Sequence, residues 1–143
     1  MHTIQQILNL KDINEIYSIS PDATVYEAVQ MLAEKRVGAL LVMKGGELVG
    51  ILSERDYARE VILKDRSSKQ TKVSDIMSTN VISVPSTEGV DPALSMMTKN
   101  RIRHLPVVDE GKVAGMVSMG DLVKDIIGNQ QSTIEQLENY IRG

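Results

Sequence analysis

The strongest constraint on the fold of this chain is an internal repeat. Residues 16–60 align with residues 81–125 at a constant offset of 65 positions without a gap, and 11 of the 45 aligned residues are identical. Many of the other aligned pairs, such as Ile16 with Val81 and Ile51 with Met116, exchange one apolar residue for another. Two repeats are too few for a solenoid, so a pair of units packed with pseudo-twofold symmetry is the simplest architecture.

Each repeat predicts the same order of elements. A short alternating strand (EIYSI, then NVISV) precedes a helix with an apolar stripe, and two more strands around a glycine turn lead into a second helix. The predicted fold class is therefore α/β (α+β), with two β-α-β-β-α motifs and an additional C-terminal helix. The expected domains are 1–65 (first motif with an N-terminal helix), 66–72 (linker), 73–128 (second motif) and 129–143 (amphipathic C-terminal helix).

Composition excludes several classes of protein. The net charge of -3 argues against a nucleic-acid-binding surface, and the absence of cysteine excludes disulfides and zinc–thiolate sites. Two histidines are too few for an ordinary His-rich metal site. No apolar run approaches the roughly 18 residues of a membrane span, and the N-terminus does not resemble a signal peptide. A cytoplasmic protein without membrane contact is expected.

A serine and an aspartate recur where the third strand of each repeat meets the second helix, in GILSERD (50–56) and GMVSMGD (115–121). One interpretation is a helix cap, in which Ser53 accepts a hydrogen bond from the backbone N–H of Asp56. The other is a binding site, because a carboxylate can accept both hydroxyls of a ribose. Aspartate is shorter than the usual glutamate, so we expect it to reach back poorly and to remain available to a ligand. Duplication of the pair favours binding.

These residues resemble those of a known family. GILSERD and GMVSMGD, with RHLPVVDEGKVAG (103–115) and IMSTNVISV (76–84), resemble a tandem pair of cystathionine β-synthase (CBS) domains, the Bateman module. The resemblance covers about residues 10–128. With a single module and a trailing helix, the chain is similar to small stand-alone bacterial CBS-pair proteins. It implies a regulatory, non-catalytic protein that binds adenine nucleotides in two clefts between the units. It also implies a head-to-head homodimer.

The resemblance implies a role for particular residues at the second site. Asp121 and Ser118 would hold the ribose, Arg103 the phosphate, and Thr79 and Val81 the edge of the adenine. The full set, which includes a pocket wall from the strand HLPVV, is Thr79, Val81, Arg103, His104, Pro106, Ser118 and Asp121.

The first site differs from the second. Asp56 and Ser53 match the ribose positions, Ile16 the adenine edge, and Arg55 must supply the cation. The full set, with small residues where the second repeat has Arg103 and His104, is Ile16, Gly38, Ala39, Ser53, Arg55 and Asp56. Two unequal clefts are therefore expected, with AMP as the favoured ligand, NAD(H) or ATP as alternatives, and no required cofactor.

Two other functions remain open. A small enzyme is disfavoured, since no Ser-His-Asp set, cysteine or metal cluster is present. The alternative is a structural dimerisation module with empty clefts, in which the Ser-x-x-Asp pairs are helix caps only. Apolar helix residues such as Ala28, Met31 and Val61 are expected to be exposed and to form the dimer interface, reinforced by the C-terminal helix. The regulated partner protein cannot be identified from the sequence.

Overall fold

A computed structural model describes residues 2–11 and 16–142, without the side chains at 129, 132 and 142. Position 15 of the predicted first strand and position 143 of the predicted C-terminal helix lie outside these residues. In chain order the elements are α1 Ile4–Leu10, β1 Ser18–Ile19, α2 Val25–Lys35, β2 Ala39–Lys44, β3 Glu47–Ser53, α3 Glu54–Tyr57, a π-helical turn Ala58–Ile62, α4 Val73–Ile76, α5 Val90–Asn100, β4 His104–Asp109, β5 Lys112–Ser118 and α6 Met119–Arg142.

The chain forms two compact units. The Asp56 unit is Glu15–Ile82, and the Asp121 unit is Met1–Asn14 with Ser83–Gly143. The units are not the two sequence repeats, because the short helix that precedes each repeat belongs to the unit of the other repeat. Helix α1 lies in the Asp121 unit, and helix α4 lies in the Asp56 unit.

The Asp56 unit is built on a three-stranded sheet. Strand β1 pairs in parallel with β2, and β2 pairs antiparallel with β3. Helix α2 begins at Thr24, whose hydroxyl accepts from the N–H of Glu27 at 3.2 Å. The apolar stripe of α2 joins the strands and α4 in one buried cluster of Ile19, Val25, Ala28, Leu32, Leu40, Val42, Leu52, Val61, Val73 and Ile76.

The Asp121 unit has a two-stranded sheet in which β4 pairs antiparallel with β5. The strand predicted at NVISV is not formed, although Val84 makes a single parallel bridge to Val107. Helix α1 covers this unit with Ile4, Ile7 and Leu8, which are buried. The start of α1 is held by backbone hydrogen bonds, including one from the Ile4 N–H to the Glu88 carbonyl oxygen at 2.8 Å.

Two repeated glycines make room for the lead-in segments. A Cβ atom at Gly50 would lie 2.7 Å from the Met77 sulfur and 3.0 Å from the Ser78 carbonyl oxygen. The matching atom at Gly115 would lie 2.9 Å from Leu8. Real Cβ atoms do not approach so closely, so the two glycines recur because each unit receives one lead-in segment over the same strand position.

Three expectations need correction. Ala28 and Val61 are buried in the core and Met31 is half-buried, so they do not form an exposed surface. The apolar stripe of the helix packs against the sheet of its own unit, which removes its apolar surface from water. The second helix of the second repeat and the C-terminal helix are one continuous helix, α6. The second helix of the first repeat instead passes into a π-helical turn after four residues.

Candidate functional site

The Ser-x-x-Asp pair of the first repeat forms a complete capping box. The backbone of Ser53 is extended (φ -113°, ψ 165°). Its hydroxyl oxygen accepts a hydrogen bond of 3.2 Å from the backbone N–H of Asp56. In return, Asp56 Oδ2 accepts the Ser53 backbone N–H at 2.9 Å and the Ser53 hydroxyl at 3.0 Å. The helix-cap interpretation is therefore correct as local structure.

The pair in the second repeat forms the same cap. The Asp121 N–H donates to Ser118 Oγ at 3.1 Å, and the Ser118 N–H donates to Asp121 Oδ2 at 2.8 Å. The expectation that aspartate reaches back poorly is wrong at both sites, because the extended backbone of the serine turns its N–H toward the first helical turn.

Only one oxygen of each carboxylate is used by the cap. Within residues 2–11 and 16–142, no hydrogen bond is made to Oδ1 of Asp56 or to Oδ1 of Asp121. A carboxylate has about four acceptor positions, so a capped aspartate keeps capacity for further donors. The cap and a binding role are thus compatible, since the cap fixes the carboxylate while Oδ1 stays available.

A lysine distinguishes the second cap from the first. Lys11 follows α1, and its Nζ lies 3.1 Å from Asp121 Oδ2 and 3.0 Å from the Met116 carbonyl oxygen. No lysine, arginine or histidine in the described part of the chain lies within ion-pair distance of Asp56. Partial burial alone would raise the pKa of Asp121, but the Ser118 N–H and Lys11 outweigh it and hold the pKa below its usual value.

The contact of Lys11 with Asp121 could not be predicted from the repeat, because the lysine lies outside it and far from Asp121 in the sequence. A second side-chain contact of the same segment also joins residues far apart in the sequence. His2 Nδ1 lies 2.6 Å from Asp125 Oδ1, and the Asp125 side chain is only 6% exposed. The other oxygen, Asp125 Oδ2, is buried without a hydrogen-bond partner in the described residues.

The structure brings several expected residues to each cap. In the Asp121 unit, His104 pairs with Ser118 across the sheet, and the Met119 N–H donates to the Arg103 carbonyl at 2.8 Å. Pro106 lies two residues further along the same strand and is buried, with its carbonyl accepting from Val84 at 3.1 Å.

The Asp56 unit repeats this arrangement with smaller side chains. Ala39 pairs with Ser53, and the Glu54 N–H donates to the Gly38 carbonyl at 3.0 Å. Arg55 is exposed next to the cap, and Ile16 is 41% exposed ahead of β1. Gly38 and Ala39 therefore occupy the backbone positions of Arg103 and His104 without their side chains, as the alignment indicates.

Thr79 and Val81 do not join the other residues of their expected set in one compact unit. Both belong to the Asp56 unit, in the segment that follows α4, whereas Asp121 belongs to the other unit. Their role beside the adenine stays a prediction.

The described residues show neither a metal-binding cluster nor a membrane-spanning helix. They contain no group of three or more His, Cys, Asp or Glu side chains placed to hold a metal ion. Within the same ranges, no helix has both the length and the apolar character to cross a membrane.

The structure places one capped carboxylate at the strand-to-helix junction of each repeat, in the elements β1-α2-β2-β3-α3 of the first repeat and α5-β4-β5-α6 of the second. A family model for the CBS domain matches residues 10–63 and 73–128. The chain therefore belongs to the CBS domain family, as a pair of CBS domains.

Similar proteins agree with this assignment. The chain is 45% identical over 127 residues to the mitochondrial CBS domain-containing protein CBSX3 of Arabidopsis thaliana, covering 85% of this chain but only 62% of that relative. A solved structure of a protein with CBS domains from Burkholderia ambifaria MC40-6 is 46% identical, with a TM-score of 0.87, and the match covers 90% of this chain and 96% of that one.

A third similar structure carries ligands. The CBS domain pair of protein MJ0100, in complex with 5′-methylthioadenosine and S-adenosyl-L-methionine, is 25% identical with a TM-score of 0.80. The match covers 90% of this chain and 98% of that chain.

Proposed function

We propose that this chain is a regulatory protein that binds an adenine nucleotide at each of its two capped aspartates, without turnover. The observation that carries the proposal is the repeated carboxylate, fixed by its own cap through Oδ2 and with Oδ1 available in both units. The two ligands of the MJ0100 domain pair share an adenosine group, whose ribose presents two adjacent hydroxyl donors. A carboxylate held in one orientation is suited to accept both.

The ligand we favour is AMP, with NAD(H) or ATP as alternatives. Arg103 is exposed next to the Asp121 cap, and Arg55 is exposed next to the Asp56 cap, so each unit offers one arginine for a phosphate. Because these arginines are supplied from different elements, the two sites should differ in affinity. We further propose a cytoplasmic location and an output through a partner protein.

The test is calorimetric titration of nucleotide-stripped protein with AMP, ATP, NAD and NADH, repeated on Asp56→Asn and Asp121→Asn. Asparagine keeps an oxygen for the cap but removes the charge that the ribose hydroxyls would meet. Each variant should lose one site, with affinity there weakened by about 1.5–3 kcal/mol, the size of a hydrogen bond to a charged group.

The matched control is Asp75→Asn. Asp75 caps α4 by accepting the Lys72 N–H at 3.1 Å and has no expected ligand role, so this variant should keep both sites. If none of the four compounds binds, or if the Asp56 and Asp121 variants titrate like the control, the caps are structural only. The alternative of a dimerisation module with empty clefts would then hold.

We also propose that the chain forms a homodimer through α6. From Ile127 onward, α6 exposes apolar side chains at the 3-, 4- and 7-residue spacings of a helix–helix seam: Ile127 (60% exposed), Ile134 (50%), Leu137 (58%) and Ile141 (82%). Sedimentation velocity at micromolar concentration should show a dimer, and Leu137→Glu should convert it to monomer. Glu138→Gln, one position along, should leave it unchanged. A monomeric unmodified chain would contradict this proposal.

A further inference from the structure

The N-terminal arm, residues 2–11, is tied to α6 at both of its ends. His2 contacts Asp125, and Lys11 contacts Asp121, at 2.6 Å and 3.1 Å. The two aspartates are four positions apart, so they lie on successive turns of one face of α6. Between these two contacts, the buried residues of α1 hold the arm against the same unit.

The Lys11 ammonium takes the second acceptor position of Asp121 Oδ2, the oxygen that also serves the cap. A carboxylate oxygen has two acceptor positions, and Asp121 Oδ2 already uses both, one for the Ser118 N–H and one for the Lys11 ammonium. Asp56 Oδ2 also receives two donors, but one of them is the hydroxyl of Ser53. A hydroxyl hydrogen turns away by rotation about one bond, whereas an ammonium leaves only by moving its whole side chain.

We infer that Lys11 is a tethered competitor for the ribose at Asp121. This rests on the proposed function of that carboxylate. A ribose that uses both carboxylate oxygens must displace Lys11 from Oδ2, whereas the same ribose at Asp56 needs only a rotation of the Ser53 hydroxyl. Lys11 thus lowers the affinity of the Asp121 site, and occupancy of this site loosens the C-terminal end of the arm.

The competition is reciprocal by thermodynamic linkage. If the arm contact weakens ribose binding by some factor, ribose weakens the arm contact by the same factor. The Lys11 ammonium also donates to the Met116 carbonyl, so the end of the arm is held by two contacts of one nitrogen and loses one of them when ribose binds.

The test uses full-length protein carrying Asp56→Asn, so that only the Asp121 site reports. Adenosine is the probe because it has the diol and no phosphate, which removes any direct attraction between Lys11 and an anion. Adding Lys11→Met should strengthen adenosine binding about twofold, the size expected of a partly exposed ion pair. Binding of 2′,3′-dideoxyadenosine, which lacks the diol, should not change between the two proteins.

The matched control is Lys124→Met, which removes a cation from the exposed surface of α6 that makes no ion pair in the described residues. It should leave adenosine affinity unchanged. Amide hydrogen exchange supplies a second readout: adenosine should accelerate exchange at the Lys11 N–H, which donates to Ile7 and Leu8, when Lys11 is intact.

The outcomes separate the two hypotheses. If adenosine binds with equal or lower affinity after Lys11→Met, Lys11 is not a competitor, although the proposed function stands. If adenosine binds only after Lys11→Met, the inference is supported in its strongest form. If adenosine binds neither protein, ribose recognition at Asp121 is wrong and the inference falls with it.

Discussion

The two caps have the same backbone hydrogen bonds but differ in the second donor to the carboxylate oxygen. At Asp56, the hydroxyl of Ser53 donates to the carboxylate, so that serine and aspartate alone satisfy the cap. At Asp121, the cap oxygen instead receives Lys11 from a segment outside the repeat. The first cap lies within residues 53–56, whereas the second also has a contact with Lys11 across most of the chain.

The difference between the caps shows that the duplication preserves the repeated elements but not the segments that precede them. The repeat preserves the strand register, the turn and the cap. Arg36 and Arg101 end the first helices with φ of 55° and 56°, and Gly46 and Gly111 make the turns with φ of 83° and 78°. The lead-in segments lie outside the gapless alignment, so they can diverge. Inequality between the two sites can therefore arise without any change in the repeated residues.

The largest effect should come from removing the anchor of the arm. Ile4 is fully buried in the Asp121 unit, so Ile4→Ala should lower the free energy of unfolding by about 2–5 kcal/mol, through lost burial and the cavity left behind. Chemical denaturation measures the loss, and hydrogen exchange should locate it in the Asp121 unit. Leu10→Ala on the same helix is the control, since Leu10 is 70% exposed and should cost little. Equal effects of the two variants would mean that α1 does not belong to the core.

A smaller effect should distinguish the two cap serines. The Ser53 hydroxyl accepts the Asp56 N–H and donates to the Asp56 carboxylate at 3.0 Å, whereas the Ser118 hydroxyl accepts the Asp121 N–H at 3.1 Å and shares the Asp121 carboxylate with Lys11. Each Ser→Ala change should cost about 1 kcal/mol, with Ser53→Ala the more costly by a few tenths. Thermal unfolding measures both. A larger loss for Ser118→Ala would show that Lys11 does not substitute for the missing hydroxyl donor.

The repeat allowed most of the local structure to be predicted from the sequence. Spacing alone placed the helices, the hairpins and the two capping pairs, because these depend on residues within one repeat. The membership of α1 and α4 in exchanged units was not predictable this way. Both helices are short, and the contacts that place them, such as Leu8 over Gly115, join residues far apart in the sequence.

The site was predicted less completely than the fold. The alignment identified the aspartates, but it could not show that the carboxylate turns back to the serine N–H, since that depends on the extended backbone at Ser53. Burial was also misjudged at Ala28, where a helical stripe was assigned to an interface although it packs on its own sheet. Both errors concern the direction in which a correctly located side chain points.

The smallest effect should be the pH dependence that Lys11 adds to one unit. The pKa of Asp121 is held below its usual value, so the folded state binds this proton less readily than the unfolded chain does. The stabilisation is complete above the unfolded pKa of about 4 and is lost as the pH falls through the lower, folded pKa. Lys11→Met should remove part of it, costing a few tenths of a kcal/mol near neutral pH and less in acid. Denaturation at several pH values between 2 and 7 measures the difference. A gap between the two proteins that widens in acid would contradict the assigned ion pair, because protonating Asp121 can only weaken its attraction for Lys11.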